Sequence, residues 1–245
     1  MTYSGLFRAW ATVLAAILAA ILLSTVAFTT GAGAQEQPPC SGKVVLDPGH
    51  GGDDSGAVNK TYDLQEKDQT LNVANKLRDL LVADGCTVYM TRITDEPLTN
   101  TQRANIANSF QAKDPGDYVL VSIHMNGSTS PSADYTTTLF GKWRKDKELA
   151  YAVFGDNVNP PKINPPTYGL RTLSEVDGTG TISTRTPYSF ASGVLLKSNM
   201  PAIIAETVFI TNVEEGRRLS EVTEARQQEI AEALRSGIER HFATH

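Results

Sequence analysis

Four short runs rich in Val, Ile and Leu constrain the fold of this chain more than any other feature. Lys43 to Asp47, Thr87 to Met90, Tyr118 to Ile123 and Ala202 to Ala205 have the continuous apolar character of strands buried on both faces. Helical patterns lie between them, at Leu64 to Ala83 and Thr99 to Phe110. The stretch from Glu221 to His245 carries Ile230, Leu234, Ile238 and Phe242 at spacings of four, which predicts an amphipathic closing helix. Strand and helix in this order predict an α/β fold, a single domain with a central, mostly parallel sheet flanked by helices. Residues 127–193 break the rhythm. Pro131, Pro160-Pro161, Pro165-Pro166 and a Gly/Thr/Ser-rich stretch from Gly178 to Thr186 predict a loop-rich insert.

The N-terminal segment reads separately. Arg8 is its only charge up to Ala34, and an apolar run from Ala9 to Phe28 leads directly to the small-residue site Ala32-Gly33-Ala34. This predicts a signal peptide over residues 1–34, leaving a domain over 35–245 that is exported to the periplasm, cell wall or medium. The competing reading is a retained membrane anchor, since the run is about the 20 residues that span a bilayer. With the leader removed, no stable membrane span remains. Export changes how the two cysteines are read. Cys40 and Cys86 lie just before runs whose starts would be neighbours in a parallel sheet, so a disulfide fits an oxidising compartment, with two buried thiols as the alternative.

Charge narrows the function. The 245 residues carry 22 Lys+Arg against 27 Asp+Glu, a formal net charge of −5, without a basic run. Nucleic acid is therefore excluded as a partner, because phosphate contacts need clustered cations.

Parallel sheets place ligands beyond the carboxyl ends of their strands. His50 follows the first run, within Asp-Pro-Gly-His-Gly-Gly-Asp-Asp; His124 directly follows Ile123; Glu206 directly follows Ala205. Any one of them could be an ordinary hydrogen-bonded residue, but three at one sheet edge suggest a site. Helix geometry adds Glu66, which at about 100° per residue shares the inward stripe of Thr70, Val73 and Leu77. Two readings fit it equally: a metal ligand, or the far partner of a capping box begun by Asp63.

Two imidazoles and a carboxylate form a catalytic zinc set that leaves a fourth position for water. Other motifs fail. The Gly49 to Gly56 loop lacks the Lys-Ser/Thr of a phosphate loop and the third Gly of a dinucleotide fingerprint, and the chain has neither H-E-x-x-H nor G-x-S-x-G.

The stretches VVLDPGHGGDDSGAV, QEKDQTLNVANKLRDLL, YMTRITDEPLTNTQRANIAN, LVSIHMNGS and MPAIIAETVFITN, in this order between Lys43 and Asn212, resemble the zinc-dependent N-acetylmuramoyl-L-alanine amidases of the type-3 group. The resemblance implies Zn2+ held by His50, Glu66 and His124, with Glu206 as the catalytic carboxylate. It also favours ligand over cap for Glu66. The implied reaction is hydrolysis of the amide between N-acetylmuramic acid and L-alanine of the peptidoglycan stem, by a zinc-activated water whose proton passes through Glu206 to the leaving amine. The implied partner is peptidoglycan or a muropeptide; the residues identify no regulatory partner. Asp47 and Asn126, beside the two histidines, are candidates to orient them or simply to brace loops. One departure is Glu-Thr-Val-Phe, with Val208 where the family usually has Gly. The insert matches only at Tyr-Gly-Leu-Arg (168–171) and Gly-Val-Leu-Leu-Lys (193–197). Two rivals remain open: another wall-directed zinc hydrolase, such as a peptidase or deacetylase, and a non-catalytic wall-binding protein.

Overall fold

A computed structural model describes residues 40–141, 143–155, 169–173 and 187–244. The expected signal peptide, and parts of the expected insert, lie outside the described residues. Six strands form one sheet: β1 (Lys43–Pro48), β4 (Thr87–Met90), β5 (Tyr118–Asn126), β6 (Thr137–Phe140), β7 (Tyr188–Ser189) and β8 (Ala202–Phe209), in the order β4-β1-β5-β8-β6-β7. A two-stranded ribbon, β2 (Val58–Asn59) and β3 (Leu64–Gln65), stands apart from it. The pairs β1–β4, β1–β5 and β5–β8 are parallel and β6 runs antiparallel to β8. The α/β architecture and the four predicted strands are therefore observed. Their interior positions, such as Val44, Leu46, Val119, Val121, Ile203 and Ala205, are buried, as strands covered on both faces require.

Helices cover the sheet: α1 (Glu66–Ala83), α2 (Asn100–Lys113), α3 (Arg144–Phe154), α4 (Gly193–Lys197), α5 (Val213–Leu219) and α6 (Ala225–Thr244). In α1 the buried stripe Glu66, Thr70, Val73, Ala74, Leu77 and Leu81 follows the predicted inward face. Against one layer, Val73, Leu77 and Leu81 join Ile230, Leu234 and Ile238 of α6 in the larger core cluster. The opposite layer contains Ala104 and Ala107 of α2 with Val194 and Leu195 of α4. At its start, α2 has a capping box: the Thr99 hydroxyl accepts from the Gln102 amide and the Gln102 side chain accepts from the Thr99 amide.

The described part of the insert is not all loop. It supplies β6, the edge strand β7, helix α3 and a short 3-10 turn at Leu170–Leu173. The Thr-Thr-Thr-Leu-Phe run lacks the Val/Ile density of the central strands, but its β-branched threonines suit a buried antiparallel pairing with β8. Leu149, Ala150, Val153 and Phe154 of α3 are buried against the sheet.

At the opposite sheet edge, Lys43 and Thr87 begin β1 and β4 in register. Cys40 and Cys86, just before those starts, form a disulfide with a Cα–Cα separation of 5.0 Å.

Candidate metal centre

At the carboxyl end of the sheet the chain brings together His50 just after β1, His124 towards the end of β5 and Glu66 at the start of α1, with one donor atom from each lying within 4.8 Å of the others. Glu66 is the hub. Its Oε1 lies 3.1 Å from His50 Nε2 and 3.1 Å from His124 Nδ1, and it also accepts from the Met125 amide at 2.9 Å. Its Oε2 accepts from the Ala57 amide at 2.9 Å. The helix begins at Glu66 itself, after Gln65 with no side-chain cap, so the capping-box reading is replaced. Asp63 is instead in a left-handed turn, at φ 53°.

Electrostatics follow from this crowding. Burial would raise the Glu66 carboxyl, but hydrogen bonds from His124 and His50, together with their charge, outweigh it and hold the group far below the usual carboxylate range. Burial opposes the charged form of His50, yet the hydrogen bonds and charges of Glu66 and Asp54 raise its pKa. An ionised carboxylate held between two imidazoles is a place where a cation can sit. The donor set fits: two imidazole nitrogens and one carboxylate oxygen match a three-ligand zinc site. Glu66 is nearly buried, whereas the His50 and His124 side chains are each 22% exposed, which leaves one side of the cluster open.

Asp54, absent from the sequence-derived candidates, orients His50. Its Oδ2 lies 2.9 Å from His50 Nδ1, and its Oδ1 accepts from the Gly56 amide at 3.1 Å. A carboxylate can only accept, so both ring nitrogens point a proton at one, Nδ1 at Asp54 and Nε2 at Glu66, and a cation in the cluster would take the place of the Nε2 proton. A tight Gly51–Asp54 bridge, with amide-to-carbonyl bonds of 2.9 and 3.2 Å, brings Asp54 back to the ring. Gly56 must be glycine here: at φ +65° an added Cβ would stand 2.6 Å from both Glu66 Oε2 and His50 Cδ2.

Asp47 and Asn126 do not touch the imidazoles. Asp47 is fully buried, accepting from Thr91 at 2.5 Å, Ser122 at 2.6 Å and Arg103 at 2.8 Å. The Asn126 carbonyl accepts from the Ile210 amide, and its side chain reaches only the Tyr135 carbonyl at 3.5 Å. Both brace the loops around the site, the simpler of the two expectations.

Glu206 on β8 stands in register with His124 on β5. Among the described residues, none donates a side-chain hydrogen bond to its carboxylate. Burial raises its pKa above the usual carboxylate value despite the opposing pull of the two histidines. Next to it, the Thr207 hydroxyl donates to the His124 carbonyl at 3.0 Å, and Val208, at the family's Gly position, is buried in the core. The departure at Val208 thus falls on packing, away from the carboxylate.

Known proteins resemble the chain along most of its length. It is 33% identical over 222 residues to the N-acetylmuramoyl-L-alanine amidase AmiC of Escherichia coli, covering 82% of this chain and 52% of that protein. It is 31% identical over 226 residues to AmiA of Salmonella typhimurium, covering 81% and 75%. It spans about half the length of AmiC and of the probable amidase AmiB of Haemophilus influenzae. Among solved structures, the catalytic domain of the Paenibacillus polymyxa amidase CwlV superimposes with a TM-score of 0.66 at 25% identity, covering 83% of this chain and 99% of that one. An amidase from Clostridium difficile gives 0.64 at 30% identity, covering 80% and 94%. With residues 44–240 also matching the family as a whole, the chain belongs to the N-acetylmuramoyl-L-alanine amidase family.

Proposed function

We propose that the chain hydrolyses the amide between the lactyl group of N-acetylmuramic acid and L-alanine of the peptidoglycan stem peptide, with zinc held by His50, Glu66 and His124. The observation that carries this is the convergence of the three donors within 4.8 Å at a sheet edge that also presents Glu206. Bound there, zinc would supply Lewis acidity towards the amide carbonyl and bring a water's pKa towards about 7.

The protein's own groups do the rest. Asp54 anchors Nδ1 of the His50 ring, so that Nε2 is the nitrogen that would be offered to the metal. The Ala57 and Met125 amides fix both oxygens of Glu66, so this carboxylate arrives oriented. Among the described residues no side chain donates to Glu206, and burial makes it a stronger base than a solvated carboxylate. It takes one proton from the attacking water and delivers it to the amine as the C–N bond breaks. The hydroxyl remains on the lactyl carbon, and the stem peptide leaves with a free amino terminus.

A wall substrate requires a location outside the cytoplasm, which the Cys40–Cys86 disulfide and the leader-like segment at residues 1–34 support. No helix among the described residues is long and apolar enough to cross a membrane. Mass spectrometry of purified peptidoglycan after digestion tests the proposal. An intact stem peptide released from an intact, still acetylated glycan is expected; a shortened peptide, or deacetylated sugar with the peptide attached, would indicate one of the rival zinc hydrolases.

A further inference from the structure

We propose that Arg103 is a positioning residue for the metal centre: its guanidinium holds the backbone of His50 in the conformation that turns the imidazole towards Glu66 and His124. This rests on the reading of His50 as a metal ligand.

The loop that carries His50 has little stiffness of its own, since Gly49, Gly51 and Gly52 surround the histidine. His50 nevertheless adopts φ 59°, a left-handed conformation that a side-chain-bearing residue seldom occupies without support. The support comes from two buried arginines, 2% and 4% exposed. Arg92 at the end of β4 donates through Nε to the Pro48 carbonyl at 2.9 Å and through Nη2 to the Gly49 carbonyl at 2.8 Å. Arg103 on α2 donates through Nη1 to the Pro48 carbonyl at 2.6 Å and to Asp47 at 2.8 Å, and through Nη2 to the His50 carbonyl at 2.7 Å. Its Nε reaches the Leu98 carbonyl at 3.1 Å.

Three consecutive carbonyls, at residues 48, 49 and 50, are thus tied to the two guanidinium groups. Of the two, it is Arg103 that reaches the His50 carbonyl. Its planar fork spans the Pro48 and His50 carbonyls at once while its charge is balanced by Asp47. A lysine keeps the charge but offers one compact ammonium, which cannot reproduce that span.

Arg103→Lys is therefore the test, read by zinc affinity in a chelator competition and by the visible absorption of the cobalt-substituted protein, which reports ligand geometry. Expected is a loss of zinc affinity of about 10-fold or more, the scale on which groups that orient metal ligands act, together with a changed cobalt spectrum. Leu81→Ala controls for general destabilisation. Leu81 lies in the core about 22 Å along α1 from Glu66, and its variant should lose thermal stability while keeping the wild-type affinity and spectrum. Should Arg103→Lys fail to fold, the double variant Asp47→Asn/Arg103→Met removes the buried ion pair as a unit and leaves no stranded charge. Wild-type affinity and spectrum in either variant would overturn the proposal. A wild-type protein that binds no divalent metal would instead overturn the metal-centre reading itself, and this inference with it.

Discussion

Glu206 and His124 face one another as register partners across the parallel β5–β8 ladder. The pairing puts a carboxylate without side-chain donors beside an imidazole of the metal cluster, and it separates two kinds of glutamate. Glu66 is enclosed by two amides and two histidines, whereas Glu206 keeps its oxygens available.

Replacing Glu206 by Gln preserves shape and removes the base. Metal content should stay at the wild-type level while turnover falls about 100-fold or more, the usual scale for a general acid–base group. Both quantities can be measured on one preparation, and a near-normal rate would remove Glu206 from the reaction.

The raised pKa of Glu206 also predicts where activity is lost in acid. A base must be ionised, so the rate should fall as pH drops through the Glu206 pKa, at a pH above the ordinary glutamic acid value of 4.5. A pH–rate profile checks this. Activity persisting undiminished to pH 4 would contradict it.

Glu66→Ala leaves two imidazoles where a catalytic zinc takes three protein ligands. Metal affinity and activity should fall together, in contrast to the Glu206 variant. Full zinc in the Glu66 variant would show that the carboxylate is not a ligand.

The Cys40–Cys86 disulfide joins residues 46 apart in sequence, and the loop-entropy relation gives it about 4 kcal/mol. The double Cys→Ala variant should unfold at a clearly lower temperature than the oxidised protein in calorimetry. Equal midpoints, or free thiols found by peptide mapping of exported protein, would sink this.

A second stability test concerns Arg226, buried to 1% exposure. It pairs with both oxygens of Glu215 at 2.6 and 2.7 Å and also donates to the Leu173 carbonyl at 3.0 Å. Glu215→Ala leaves Arg226 with Glu229 alone, 2.7 Å away and 42% exposed, and should destabilise by about 1–3 kcal/mol in urea unfolding. Arg217→Ala, which breaks only exposed pairs with Glu214 and Glu221, should change stability by less than about 1 kcal/mol.

The central strands and the three residues His50, His124 and Glu206 towards their carboxyl ends were legible because both signals are local: a buried strand is a continuous apolar run, and the polar residue that ends the run faces the ligand edge. Glu66 could be placed on the inward stripe of its helix, but periodicity alone could not choose between ligand and cap. That choice depends on Ala57 and Met125 presenting their amides from other elements. Asp54 stood in the quoted motif, yet its role depends on a bridge with Gly51 that folds the chain back on itself. Arg92 and Arg103 carry no such local signal, because nothing in the sequence around them shows that they turn inward to backbone carbonyls about 40 to 55 residues away. Strand β6 escaped notice since threonines carry its β-propensity with little hydrophobicity.

Zinc content measured in active protein tests the central claim most directly. Elemental analysis of the purified chain should find about one zinc per molecule, with amidase activity lost on chelation and restored by added zinc. Full activity in protein that contains no metal would contradict the assignment of His50, Glu66 and His124.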